Sequence, residues 1–453
     1  MGTKRVSTQW VLALTSLGFF MSMMDSMIVT TASTAIRRDF HISVTSLQWT
    51  LNAYNVTIAA VLLIGVALGE HFGRRRIYSL GILVFTLGSV LCALAPTIGW
   101  LIFARVVAGL GASVMTPMSM AILTHTISPA KRGSALGIWG GIGGLALIIG
   151  PSLGGLIVAK LTWPWIFWIN VPIGLLAVGL GQRYLPESRG DVTPIHGVDV
   201  VTIIGSLTGL VLALNMLTSM QRWPGALALL GVSLGLGVLV HYRQTRLSQP
   251  LISFTVFQSR SYLSGNLATF LSYASMYGVV FFLPQFFQIV GGANAAVAGL
   301  EILPWTATLV MVAPFAGKAV DKWGDRRVAI TGLLLQGVGY GWLAGLAPLT
   351  TYSGLIGPLI LAGSGLSMAG PALQKGVLGA GTPALVGQAS GVYNVFRLLG
   401  GAVGTTAAVI VFGCFGRLAT ANSFMPGFQA TMGLASSLAI LGAAVTFSWF
   451  ERQ

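Results

Sequence analysis

Apolar runs of about 20 residues, separated by short polar loops, recur along the whole chain. A helix needs about 20 mostly apolar residues to cross a bilayer. The pattern predicts fourteen such helices, at 9–32, 46–69, 77–95, 98–123, 133–159, 163–183, 199–218, 224–242, 262–290, 297–319, 328–347, 354–375, 387–413 and 428–449. The pairs that meet near Pro96 and near Pro224 are joined by very short loops. The expected fold class is an all-α integral membrane protein that crosses the bilayer many times.

The polar positions between the runs orient the spans. With the N-terminus inside, eighteen Lys and Arg fall in inner loops and five in outer loops, while Arg105 and Arg397 lie within helices. Inner loops of membrane proteins carry the excess of basic residues. Both termini are therefore expected on the cytoplasmic side. The N-terminal Lys4 and Arg5 followed by an apolar run resemble a signal peptide, but Asp25 interrupts the run and no small-residue cleavage site follows a short apolar core. This segment is expected to stay as the first helix.

A repeat is visible in the loops. Gly69-Glu70-His71-Phe72-Gly73-Arg74-Arg75-Arg76 follows the second run, and Val320-Asp321-Lys322-Trp323-Gly324-Asp325-Arg326-Arg327 follows the tenth. Each places an acid, then a glycine three residues on, then basic residues. Duplicated halves are a mark of many secondary transporters. Three regions are expected: a six-helix bundle at 1–183, a linker with two additional helices at 184–261, and a second six-helix bundle at 262–453. The linker proper, 184–198, carries Pro186, Pro194 and mixed charges.

Composition agrees with a lipid-embedded chain. Charged residues are 8%, against about 25% in soluble domains. The 60 glycines suit close helix packing in a membrane. The net charge of +15 suggests nucleic acid, but the basic residues sit in short loops and set topology instead. Cys92 and Cys414 lie far apart in apolar runs and define neither a disulfide framework nor a metal site. The five histidines, at 41, 71, 125, 196 and 241, lie at helix ends or in loops, and none is paired at ligand spacing. Clustered catalytic groups are missing, so an enzyme is not expected. No phosphate-binding loop points to ATP.

Five further motifs carry a resemblance. They are Met24-Asp25-Ser26-Met27-Ile28-Val29 in the first run, Gln48-Trp49-Thr50-Leu51-Asn52-Ala53-Tyr54 entering the second, Arg105-Val106-Val107-Ala108-Gly109-Leu110-Gly111 in the fourth, Gly150-Pro151-Ser152-Leu153-Gly154-Gly155 in the fifth, and Trp165-Ile166-Phe167-Trp168-Ile169-Asn170-Val171-Pro172 entering the sixth. Together with the loop repeat, they resemble the major facilitator superfamily, and within it the fourteen-helix drug:proton antiporters. The sequence departs from the usual pattern at Val66, Glu70, Thr30 and Thr34, where Gly, Asp, Asn and Pro are common. The resemblance implies two bundles that rock about a central site, export driven by the proton motive force with no other cofactor, and a gating role for Gly150, Pro151, Gly154 and Gly155.

The residues themselves point the same way. Asp25 lies in mid-span, where a carboxylate is costly and usually functional. It can exchange a proton, bind a cationic cargo, or do both in competition. A polar residue satisfied within the bundle is the simpler alternative. Arg105 cannot shed its charge and is the candidate counter-ion. Arg397 is a candidate for a gate. Glu301 is a second acid that a cation could meet, or an interfacial carboxylate that reaches water. Glu70, Gly73 and Arg74, with Asp321, Gly324 and Arg327, are candidate gate residues in the two loops. Trp49, Tyr54, Tyr273, Tyr277 and Phe281 are candidates for an aromatic cavity, since aromatic faces attract organic cations. Asn52, Gln285 and Asn394 are polar groups that lipid cannot satisfy. The expected partners are a small amphipathic or cationic substrate, H+ and the bilayer of the cytoplasmic membrane, with the chain acting as a monomer and no nucleic acid involved. A dedicated metabolite exporter or importer on the same fold is the alternative.

Overall fold

The structure, a computed structural model, describes residues 7–127, 129–189, 196–217, 223–247, 250, 251, 254, 257, 259–346, 351–379 and 386–449. Lys4, Arg5, Arg222, Arg452 and linker residues 190–195 lie outside them. The first half holds α1 (Thr8–Phe40), α2 (Val44–Phe72), α3 (Arg74–Ala93), α4 (Ile98–Thr126), α5 (Pro129–Lys160), α6 (Trp165–Trp168) and α7 (Asn170–Tyr184). Then come α8 (Gly197–Met216) and α9 (Trp223–Gln244). The second half holds α10 (Arg260–Ile289), α11 (Ala295–Glu301), α12 (Leu303–Met311), α13 (Ala313–Trp323), α14 (Asp325–Ala344), α15 (Tyr352–Gly379), α16 (Val386–Phe415) and α17 (Ala421–Trp449).

The helix starts are written in the sequence. Side chains of Ser43, Thr97, Ser259 and Asn294 accept hydrogen bonds from the backbone N–H three residues on, as capping residues do. Pro304 and Pro314 fall at the starts of α12 and α13, where the missing N–H costs nothing. They divide the expected span 297–319 into α11, α12 and α13, with a 48° bend between the last two.

Among the described residues, twelve helices are long and apolar enough to cross a membrane, or thirteen with the bent pair. The count of fourteen is not reached. The expected span at 328–347 falls on α14, which has 20 residues but is diluted by Asp325, Arg326, Arg327, Gln336 and four glycines.

The duplication extends beyond the loops. One constant sequence offset relates Glu70 to Asp321, Gly73 to Gly324, Gly81 to Gly332, and Gly88 to Gly339. The related glycines make equivalent contacts. In the first half, α3 and α4 meet where Gly88 faces Ala108 and Gly81 faces Gly111; in the second, α14 and α15 meet where Gly339 faces Ala362 and Gly332 faces Gly365. A methyl added at Gly88 would lie 2.6 Å from Ala108 Cα, and one at Gly339 would lie 2.6 Å from the Ala362 nitrogen. Backbone cannot yield as a side-chain tip can. Gly88→Ala and Gly339→Ala should each therefore lower stability by about 1–3 kcal/mol, the usual cost of overpacking. Thermal unfolding in detergent tests this, and unchanged melting of both variants would contradict it.

The two halves meet chiefly at the end of the molecule where α1 finishes. There the Gln48 and Asn52 side chains of α2 donate to Thr406 Oγ1 of α16 at 2.6 and 3.1 Å. Thr34 of α1 donates to Gln288 of α10. Gly155 of α5 packs on Ala295 of α11, and Gly299 of α11 packs on Pro151. Toward the other end α2 still touches α16, through Leu63 and Gly391. The additional pair is a peripheral hairpin. Ser206 of α8 bonds the Ser233 carbonyl of α9 at 3.1 Å, and Arg243 holds the buried Asp199 at 2.7 Å. Its α8 lies along α2 and α16 at the seam between the halves.

Candidate functional site

The costliest groups in the spans are brought together. Asp25 of α1 and Arg105 of α4 form an ion pair of 2.5 Å, both wholly inaccessible to solvent. Arg105 Nε also donates to the Thr50 carbonyl at 2.9 Å, and the guanidinium lies 4.2 Å from the ring centre of Tyr54 and 5.8 Å from that of Phe167. Asn170, the first residue of α7, donates to Asp25 Oδ1 at 3.3 Å and to Ser89 Oγ at 3.4 Å. Tyr54 is anchored by Ser22, whose carbonyl accepts from its hydroxyl at 3.0 Å. All these residues belong to the first half. Six helices thus contribute to the surroundings of one ion pair, and the partner of its carboxylate cannot neutralise itself by losing a proton.

A separate cavity lies between the halves. Its volume is about 240 Å³. Met23, Ser26 and Met27 of α1 and Gly144 of α5 line it from one side. Tyr273 and Tyr277 of α10, Trp305 of α12, Gln374 of α15, and Tyr393 and Arg397 of α16 line it from the other. Arg397 stands 5.7 Å from the ring centre of Tyr273.

A small void lies between Tyr54 and the cavity residues Ser26, Tyr277 and Arg397. It measures about 20 Å³ and is lined by Ser22, Ser26, Tyr54, Asn55, Tyr277, Asn394 and Arg397, among others. That is room for about one water, which needs roughly 10–15 Å³ and several polar partners. Tyr54 is the hinge of this arrangement: its ring covers Arg105, and the same residue borders the void that Arg397 borders from the other half.

Of the residues expected to meet cargo, Tyr273 and Tyr277 line the cavity, and Tyr54 and Asn394 line the void. Asp25 lies behind Ser26 in the first half and lines neither. Asn52 is spent on Thr406 at the closed end. Phe281 and Gln285 are buried in α10, with the Gln285 amide donating to the Phe281 carbonyl at 2.7 Å. Trp49 is half-buried on α2 and Glu301 ends α11; neither lines the cavity. Ser22, Trp305 and Tyr393 were not singled out by the sequence. Ser26 and Asn170 stood in the first-run and sixth-run motifs without a role of their own, and Asn170 carried the further signal of an amide placed in a span.

The glycine-proline stretch of α5 occupies the three-way junction of α1, α5 and α11. Methyls added at Gly150 and Gly154 would lie 3.3 and 2.9 Å from the carbonyls of Met24 and Ile28. Gly155 and Pro151 face the second half, as described above. This is a close seam directly beside the turn of α1 that holds Asp25.

The loop charges pair differently in the two halves. Arg74 makes a two-pronged contact with Glu70, 2.7 Å at its shortest. Arg75 and Arg76 instead lie 3.6 and 3.8 Å from Glu187, in the linker. Asp321 pairs with Lys375 of α15 at 2.7 Å, while Arg326 donates to the Phe447 carbonyl. Gly73 and Gly324 both take positive φ, +111° and +83°, which an L side chain adopts only under strain. Gly73 leaves α3 without a side-chain cap of its own, and Glu187 supplies one, accepting from the Arg75 N–H at 3.0 Å. Glu187→Ala should therefore destabilise by about 1 kcal/mol, the usual worth of a cap. Chemical unfolding in detergent checks this; a loss above a few kcal/mol would mean that the linker does more than cap.

Comparison with known proteins places the chain. The model of the Major Facilitator Superfamily matches residues 15–405. The chain is 31% identical over 401 residues to the multidrug resistance protein Stp of Mycobacterium tuberculosis, covering 86% of this chain and 73% of that one. It is 29% identical over 400 residues to the riboflavin transporter RibZ of Clostridioides difficile, covering 87% and 86%. The fold superimposes with a TM-score of 0.70 on a bacterial homolog of the human lysosomal transporter Spinster, at 17% identity, covering 98% of this chain and 97% of that one. With its helical membrane fold, its bipartite cavity and these relatives, the chain belongs to the major facilitator superfamily and is a multi-pass membrane transporter, not an enzyme.

Proposed function

We propose that this protein exports small amphipathic molecules across the cytoplasmic membrane in exchange for protons, by alternating access. The observation that carries this reading is the fully buried Asp25–Arg105 pair, set one water-sized void away from the inter-half cavity. Protonating Asp25 removes its attraction for Arg105, frees that guanidinium to re-aim, and so shifts Tyr54 against the second half. An element that holds one arrangement when charged and another when neutral is what proton coupling requires. The void gives that change a short polar route to the cargo. Closure of the halves at one end, with α5 and α11 as the seal, supplies the alternating gate.

In this reading α14, a helix of 20 residues that packs on α15 and α17, crosses the membrane as the fourteenth span. Both termini then face the cytoplasm, as the distribution of basic residues indicates. The similarity to multidrug resistance protein Stp supports drug-like cargo. Expression in cells lacking their own efflux pumps tests the export claim: wild type should raise tolerance to at least one amphipathic compound, and protection against none would refute it.

A second reading is transport of one metabolite. It is favoured by the similarity to the riboflavin transporter RibZ, of which this chain covers 86%. Growth of a riboflavin-requiring strain on limiting riboflavin separates the two, because only an importer of that vitamin would rescue it.

A further inference from the structure

The charge of the cavity argues for a cargo of a particular class. Ten acidic residues exist in the chain. Among the described residues, none of them lines the cavity between the halves, whereas Arg397 does. Arg397 is permanently cationic and, among the described residues, no carboxylate pairs with it. Its neighbours are phenols: Tyr273, Tyr277 and Tyr393 surround it, and Gln374 lies on the same wall. Asp25 cannot serve as its counter-ion, being held by Arg105 and Asn170. Glu70 is likewise occupied by Arg74, and Asp321 by Lys375.

A guanidinium with phenol neighbours but no acidic partner is costly in a lipid-embedded cavity unless a ligand completes it. It repels a cation that enters beside it, and it offers a carboxylate two parallel charge-assisted hydrogen bonds. The aromatic walls, with Met23, Met27 and Met276, suit a flat apolar body. The volume, near the small end of ligand clefts, which run roughly 300–1,000 Å³, limits that body to one or a few rings.

We propose that the cavity selects an anionic aromatic amphipath, with its carboxylate or similar oxyanion bound to Arg397 and its ring system between Tyr273, Tyr277 and Trp305. This rests on the transport reading above and names its cargo. It reverses the cationic preference that an intramembrane acid suggests, because that acid faces the interior of one half and the cavity presents a base.

A matched set of probes tests it: naphthoate, naphthylmethanol and naphthylmethylammonium share one ring system and differ in charge. Binding to the purified full-length protein is followed by tryptophan fluorescence and by thermal shift. Wild type should bind naphthoate at least about tenfold more tightly than the ammonium, the scale of one charge-assisted contact. Arg397→Gln should lose that preference while holding naphthylmethanol unchanged, and Arg397→Lys should retain part of it. Preference for the ammonium, equal binding of all three, binding of none, or an unaltered preference in a well-folded Arg397→Gln protein would each overturn the proposal. Proton-driven movement is scored separately in liposomes. A bound anion that fails to respond to a pH gradient counts against antiport alone, and proton-driven movement of the ammonium counts against the anion site alone.

Discussion

Asp25→Asn should leave cargo binding nearly intact and reduce pH-driven transport by about 5- to 150-fold, the usual range of a coupling free energy between two sites. The side chain touches Arg105 and Asn170 and lines no part of the cavity, so its loss removes no cargo contact. Asparagine keeps the size and one acceptor oxygen. It mimics the neutral state permanently, so the first half can no longer report a proton. Downhill exchange of cargo, which needs no proton, should persist. Transport by wild type and variant in one vesicle preparation checks this, and full pH-driven activity in Asp25→Asn would remove Asp25 from the mechanism.

Arg105→Met should lower the stability of the fold. Both partners are inaccessible, and breaking a buried pair by removing one member costs about 3–5 kcal/mol because the other charge is left unmatched. The Tyr54 ring and the Thr50 carbonyl lose their contacts as well. Asp25→Asn in the same chain removes the stranded charge. The double variant should therefore recover stability relative to Arg105→Met, by about 0.5–3 kcal/mol, the range of coupling between residues in contact. Melting temperatures of the four proteins in detergent complete the cycle. Additive losses would show that the pair is not the unit described here.

Much of this arrangement was legible in the chain. Apolar run length located the helices, because lipid demands it, and α14 fell short because Asp325, Arg326, Arg327, Gln336 and its glycines dilute it, Gln336 serving a contact with α10 and the glycines contacts with α15 and α17 rather than lipid. The repeat of acid, glycine and bases gave the duplication, and the offset it sets holds into the helix contacts. Asp25 and Arg105 were conspicuous as charges in mid-span. What the sequence withheld was direction. Asp25 and Ser26 are neighbours on α1, yet the carboxylate faces the interior of one half and the serine faces the cavity. That difference is a rotation of about 100° about a helix of 3.6 residues per turn, set by packing on α4 and α7. Low amphipathicity hides it, since buried helices are apolar on every side. Glu187 was hidden for another reason: its partners Arg75 and Arg76 are distant in sequence and meet it only once α7 has folded back. Arg397 was visible as a charge, and its lack of an acidic partner became evident only in three dimensions.

The central claim is that cargo and protons pass in opposite directions in one coupled cycle. Liposomes holding the purified protein, a cargo identified by its protection of cells, and a luminal pH dye are diluted into cargo-free buffer with no imposed pH gradient. As cargo leaves down its gradient, the lumen should acidify in wild type and should not in Asp25→Asn. Cargo efflux from wild-type liposomes without any luminal pH change, or with alkalinisation, would contradict the account.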